Sequence, residues 1–281
     1  MALYRDQGVV LRTIKLGETD RIVSMMTRGN GKVRAVAKGV RKPGSRFGAR
    51  LEPTTHLAFQ CYRGRELDVI TQVETIDANR VLREHYGCLT HAVSMLEAVD
   101  QVALVREPNH ALYRMLEQAL RTLAREPSPI VSTAFFWKLL SLEGFHPMLH
   151  DCARCGRALG LDPAPDPAPE PAPDPATDPD DATTGRDVDD PTTARDADVA
   201  HDSAAVFDLH DGGTLCAFCG SAGGRRTSTA ALAIVARMVG GQLRGVLDSP
   251  PPPAVLREVE RLAIAAIEHH SERRLRSAAL L

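Results

Sequence analysis

Two periods divide the chain. Up to about residue 76, apolar residues come in short runs or alternate with polar ones, the pattern of half-buried strands. "GVVLRTIKL", from Gly8 to Leu16, alternates over part of its length. "RIVSMMT" and "KVRAVAK" flank Arg28-Gly29-Asn30-Gly31, where Asn and Gly tolerate the positive φ of a tight hairpin turn. "THLAFQCY" and "LDVITQVETI" flank Arg63-Gly64-Arg65-Glu66, a second hairpin. Five short strands in so few residues make a small closed barrel the simplest solution, with the OB-fold as leading candidate.

From Asn79 the period becomes helical. Leu89, Val93, Leu96, Val99 and Leu104 fall on one stripe. Pro108 fits a helix start, and Leu112, Leu116, Ala119 and Leu123 follow it. Pro129 opens a third helix carrying Phe135, Leu139 and Leu142, and two more are expected over 228–247 and 253–270. The expected organisation is therefore α+β and multidomain: residues 1–78 a five-stranded OB-fold barrel, residues 79–281 an α-helical domain. Residues 161–204 interrupt the latter. They hold nine prolines, 13 Asp or Glu and two Arg. Too few apolar groups are present to offset the entropy of ordering, so disorder is expected. The segment is either an electrostatic mimic of a polyanion or a tolerated surface insertion.

The net charge of −2 hides opposites. Residues 1–50 carry twelve Lys or Arg against three acids, a net of +9, while 161–204 carry −11. Such asymmetry points to a polyanionic partner. The positive charge concentrates in "AVAKGVRKPGSRFGARLEP", from Ala35 to Pro53, the connection between strands three and four. Lys38, Arg41, Lys42, Arg46 and Arg50 stand there at irregular spacing among glycines and prolines, with Arg34 just before them. Such a loop follows a phosphate backbone without reading bases; the plain alternative is a solvated surface. Phe47, its one aromatic, is either an anchor into the core or a stacking platform.

The strongest chemical signal is Cys152-Ala-Arg-Cys155 with Cys216-Ala-Phe-Cys219. Sixty residues separate the pairs, and 44 of them belong to the acidic segment, leaving 16. That spacing suits a zinc site of two knuckles, 152–219, each followed by a glycine. Four thiolates close the coordination sphere, so the expected cofactor is one structural Zn²⁺. A redox reading needs a βαβ context, which the pattern lacks. Cys61 and Cys88 fall in apolar patterns and read as buried thiols. His150-Asp151 and His210-Asp211 read as chance surface pairs, and His269-His270 as neighbours of a helix C-terminus. Phosphate-loop, dinucleotide, serine-hydrolase and zinc-protease motifs are all missing, so no catalytic residues are assigned. No apolar run approaches a membrane span, and the N-terminus lacks a signal-peptide layout, which gives an expected cytoplasmic protein.

The stretch "YRDQGVVLRTIKLGETDRIVSMMTRGNGKVRAVAKGVRKPGSRFGARLEP" resembles the N-terminal domain of the bacterial DNA repair family RecO. The shared features are the glycine-started strand, the Gly-Glu-Thr-Asp step, the Lys-Gly before a basic loop, and Arg-Phe-Gly before the next strand. The paired cysteines and the closing "SERRLRSAALL" fit as well, and only 161–204 departs. The resemblance implies an OB-fold, a helical domain and a zinc finger, with no enzymatic activity. It implies binding of single- and double-stranded DNA, strand annealing, and help to RecA in displacing SSB, together with RecR. It also implies binding of the acidic, apolar SSB C-terminal tail, for which helices carrying Phe135, Phe136, Leu139 and Leu142 are the expected groove. A second reading is an RNA-binding factor of ribosome assembly built from the same modules.

Overall fold

In a computed structural model, residues 2–45, 47–160 and 204–281 are described. Strands β1 (Leu3–Leu16), β2 (Asp20–Thr27), β3 (Gly31–Ala37), β4 (His56–Tyr62) and β5 (Asp68–Asp77) close into a barrel in the order β1-β2-β3-β5-β4. β1 starts five residues before the expected strand. Its extra length lets the first half pair with β4 and the second with β2, and Gly8 faces both Leu57 and Thr27. The run Val9-Val10-Leu11 is apolar throughout because both faces of the strand are covered here, and a bulge falls between Val10 and Arg12. Val10 enters the barrel core, while Val9 and Leu11 join the core of the helical part. One strand thus serves two cores.

Helices α1 (Arg80–Glu84), α2 (Tyr86–Val102), α3 (His110–Arg125) and α4 (Pro129–Leu142) follow, then α5 (Thr229–Val239), α6 (Leu243–Asp248) and α7 (Pro253–Ser271). α4 is apolar on all sides and packs against α2, α3, α5 and α7. This overturns one expectation: Phe135, Phe136 and Leu139 are at most 2% exposed and form no groove. α3 starts at His110, two residues after Pro108, where the Asn109 side chain accepts from Leu112 N at 2.9 Å. The single helix expected over 228–247 is two, because the chain turns at Gly240-Gly241 with Gly241 at φ +86°. Leu104 leaves the helical stripe, since α2 ends at Val102 and Leu104 is exposed.

Residues 104–106 instead join the barrel edge. Lys32 N donates to Leu104 O, and Arg106 N donates to Lys32 O at 2.9 Å. The Arg106 guanidinium reaches the carbonyl of Gly64 and the buried carboxylate of Asp68, at 2.8 and 3.0 Å. Lys32 and Arg12 both pair with Asp100 of α2. Barrel and helices therefore meet across a seam of backbone bonds and ion pairs.

The pattern gave no warning of a small sheet, β7-β6-β8, from β6 (Ala204–Asp208), β7 (Gly213–Leu215) and β8 (Arg225–Ser228). Of the acidic segment, 161–203 lie outside the described residues, and Ala204 opens β6. Phe207 carries this sheet onto the helical core, edge-on to Trp137 with ring centroids 6.1 Å apart.

Candidate nucleic-acid interface and metal centre

The basic connection is pinned at both ends. Val40, Phe47 and Leu51 sink into the barrel core, and Phe47 is 1% exposed. It is the anchor of the loop, and its ring is not offered as a stacking platform. At the near end Gly39 N donates to Asp20 Oδ1 at 2.7 Å, Arg41 N donates to Thr19 O, and Arg41 Nη1 donates to Glu18 O at 2.8 Å. The Gly39 N–H, with the Thr19 hydroxyl, holds the Asp20 carboxyl below the usual carboxylate range. At the far end Arg21 pairs with Glu52 at 2.9 Å. The loop thus lies against the β1–β2 turn and presents Lys38, Arg41 and Lys42 to solvent there.

The six cationic candidates do not form one cluster. Arg46 lies outside the described residues. Arg34 shares the outer face of β3 with Lys32, which points to Asp100 of α2. It is half-buried there and its Nε has no hydrogen-bond partner. Arg50 belongs to a groove of about 870 Å³ across β1, β4 and β5. Two arginines that periodicity did not single out line the same groove, Arg5 and Arg28. Register places Arg5 opposite Gln60, and Gln60 opposite Gln72, so an arginine and two amides form a row. Asp6 also borders the groove, but it accepts from Gly29 N and from Asn30 Nδ2 at 2.7 Å, which holds the β2–β3 turn. The signal for Arg5 and Arg28 lay in cross-strand pairing: Arg28 N donates to Gln7 O, beside the Arg5 strand end.

Cys152, Cys155, Cys216 and Cys219 converge, with their ligand atoms all within 4.8 Å of one another and Cys155 Sγ 3.8 Å from Cys216 Sγ. A tetrahedron of thiolates around zinc has edges of about 3.8 Å, so the donor set fits a metal ion. Gly156 N donates to Cys152 O and Gly220 N to Cys216 O, both at 2.8 Å, closing the two turns. Gly156 takes φ +72°, and Gly220 packs where a Cβ would lie 3.0 Å from Val206. The backbone N–H of Cys216, chiefly, draws the Cys152 thiol down to about 6, while burial and the neighbouring sulfurs push Cys219 up to about 12. Arg154 braces the knuckles, reaching Asp211 at 2.6 Å and Cys219 O at 3.1 Å. Asp211, read from sequence as a surface residue, therefore supports the cluster. His270 stacks on Phe145 at 3.9 Å. Cys61 and Cys88 are buried, and burial pushes the Cys61 thiol up to about 12.

Between α2 and the α3–α4 turn lies an apolar pocket of about 290 Å³ lined by Gly87, Cys88, His91, Leu123, Pro127 and Pro129. His91 Nδ1 meets Ser132 Oγ at 2.8 Å, and exposed Arg125 stands in the chain between Leu123 and Pro127.

Residues 1–79 match the family model described as "Recombination protein O N terminal", and residues 83–169 match "Recombination protein O C terminal". A protein named "DNA repair protein RecO" from Thermobifida fusca (strain YX) is 36% identical over 287 aligned residues, covering 100% of this chain and 99% of the relative. One of the same name from Cutibacterium acnes is 48% identical over 164 residues, covering 56% of this chain and 67% of the relative. Among the described residues no helix is long and apolar enough to cross a membrane.

Proposed function

Because the chain belongs to the RecO family of DNA repair proteins, we propose that it is a non-enzymatic recombination mediator. It holds single- and double-stranded DNA on its barrel, anneals complementary strands, and with RecR helps RecA displace SSB. Two observations carry the reading: Arg5, Arg28 and Arg50 line one groove, and Lys38, Arg41 and Lys42 stand exposed by the β1–β2 turn, so that a path along β1 would join them. From Arg5 to Leu16 the strand is roughly 35 Å of chain at ~3.3 Å per residue. OB-folds take on the order of 4–16 nucleotides, and a path of this length suits the lower part of that range. The barrel, residues 1–78, is the DNA-holding unit, and 79–281 the helical one.

The cofactor is one zinc ion on Cys152, Cys155, Cys216 and Cys219. With four thiolates no position is left open for substrate, so it acts as a structural clamp. The SSB tail docks in the pocket beside His91, whose apolar walls suit a short apolar peptide, with exposed Arg125, between Leu123 and Pro127 in the chain, as the cation for its acidic groups.

Two triple variants test the path, Arg5/Arg28/Arg50→Ala and Arg41/Lys42/Arg46→Ala. Each lost phosphate contact removes about 0.7 from the slope of log affinity against log salt on single strands. Each variant is expected to flatten that slope by up to about 2, equally for all sequences, and to slow annealing. Full slope and full annealing rate in both variants would remove the barrel from the DNA path.

A further inference from the structure

The two knuckles match in sequence but not in the use of their third residue. Each is Cys-Ala-X-Cys, with Arg154 at X in the first and Phe218 in the second. Arg154 folds back on Asp211 and the Cys219 carbonyl. Phe218 is instead 83% exposed, more than any other large apolar side chain among the described residues. The apolar shell around the sulfurs is built from Leu215, Ala153, Leu159 and Val206, without Phe218. Packing gives no reason for an aromatic at this position, and the cost of exposing it to water argues against one.

The turn that carries the ring is held from several sides. Both flanking cysteines belong to the cluster, Gly220 N donates to Cys216 O, and Ser221 Oγ donates to Phe218 O at 2.8 Å. Gly220 and Gly224 lie directly on Val206, where added Cβ atoms would stand 3.0 and 2.4 Å from its side chain. Val206 pairs with Arg226 across β6 and β8, and cross-strand partners share a face. Arg226 is thereby set beside the turn that bears Phe218. Arg226 is exposed and makes no ion pair among the described residues. An aromatic plate fixed in water next to an exposed guanidinium group is the arrangement that takes an unpaired base on the ring and its phosphate on the cation. A duplex keeps its base faces stacked and offers nothing to the ring.

We propose that the second cysteine knuckle is a separate contact for single-stranded nucleic acid, with Phe218 stacking a base and Arg226 meeting the neighbouring phosphate. This site does not depend on the barrel path. A protein with two strand contacts on different modules can hold a strand at two points.

The test uses the full chain, with affinity measured for a 15-nucleotide single strand, the same length of abasic strand, and a blunt duplex. Phe218→Ala is expected to lose at least about fivefold on the base-bearing strand and nothing on the abasic strand or the duplex. Phe218→Trp should retain binding. Arg226→Ala should weaken both single strands alike. Unchanged metal content and melting temperature in Phe218→Ala confirm that the knuckle is intact. The same Phe218→Ala loss is expected in the Arg5/Arg28/Arg50→Ala background, which separates this site from the groove. A Phe218→Ala loss of equal size on the abasic strand, or no loss on the base-bearing strand, would overturn the proposal; the latter result with a lost protein partner would assign the ring to protein binding instead.

Discussion

Trp137, the one tryptophan, is buried and touches Phe207 edge-on, so it sits where the cysteine-bearing sheet meets the helical core. Replacing Cys152 with Ser should therefore be visible from inside the protein. One metal equivalent should be lost, melting should fall by on the order of 10 °C, and Trp137 emission should shift red. Retained metal and unchanged melting would contradict a four-thiolate clamp. Two histidines carry a pH dependence. His56 lies at the barrel–helix seam, with Nε2 2.8 Å from the Tyr113 hydroxyl, and it faces Glu117, Asp77 and Arg121. His91 lies in the apolar pocket. Burial lowers both below the ordinary imidazole value of 6.5. Below that value the unfolded chain binds protons that the folded one refuses, so stability falls as pH falls; above it both states are neutral and the effect vanishes. Thermal melts between pH 7 and 5 should show that loss, and His56→Gln with His91→Gln should show less of it. An equal slope in the double variant would assign the loss to carboxylates.

At the scale of elements, the pocket between α2 and the α3–α4 turn replaces the groove that the apolar spacing of α4 led one to expect. α4 offers no such surface because its neighbours bury Phe135, Phe136 and Leu139 and leave only Leu142 of the four exposed. Gly87 lines the mouth of the pocket, and a Cβ there would meet nothing within 4 Å. Gly87→Trp should fill the mouth without straining the backbone, and Arg125→Ala should remove the charge. Each is expected to weaken an acidic, apolar SSB tail peptide on the order of tenfold or more in fluorescence anisotropy, with DNA affinity unchanged. Tail binding that survives both changes would place the peptide elsewhere.

For the whole molecule the opposing charges matter most. Residues 161–204 carry −11 against +9 for residues 1–50. The described chain stops at Gly160, shortly after the first knuckle, and resumes at Ala204, which opens β6. Deleting 161–203 should tighten DNA binding at low salt, and the gain should fade as salt shortens the Debye length toward about 8 Å. Affinity identical to the full chain at low salt would reduce the segment to a spacer.

Local sequence carried much of this protein. Alternation with glycine turns specified the barrel strands, since a turn needs particular φ angles and a strand needs a two-residue period. The four cysteines announced their cluster by spacing alone, because a metal demands ligand type and number before it demands a fold. Tertiary structure decided what depended on a second element. β1 serves two cores because other elements cover both its faces, and Arg5, Arg28 and Arg50 line one groove only once β1 has paired with β2 and β4. The β7-β6-β8 sheet escaped notice because its strands have three to five residues and take their stability from the cysteine cluster and from Trp137 rather than from a pattern of their own. Burial of Phe135 and exposure of Phe218 have the same cause: hydrophobicity states what a side chain prefers, and only the neighbours that fold around it determine whether the preference is met.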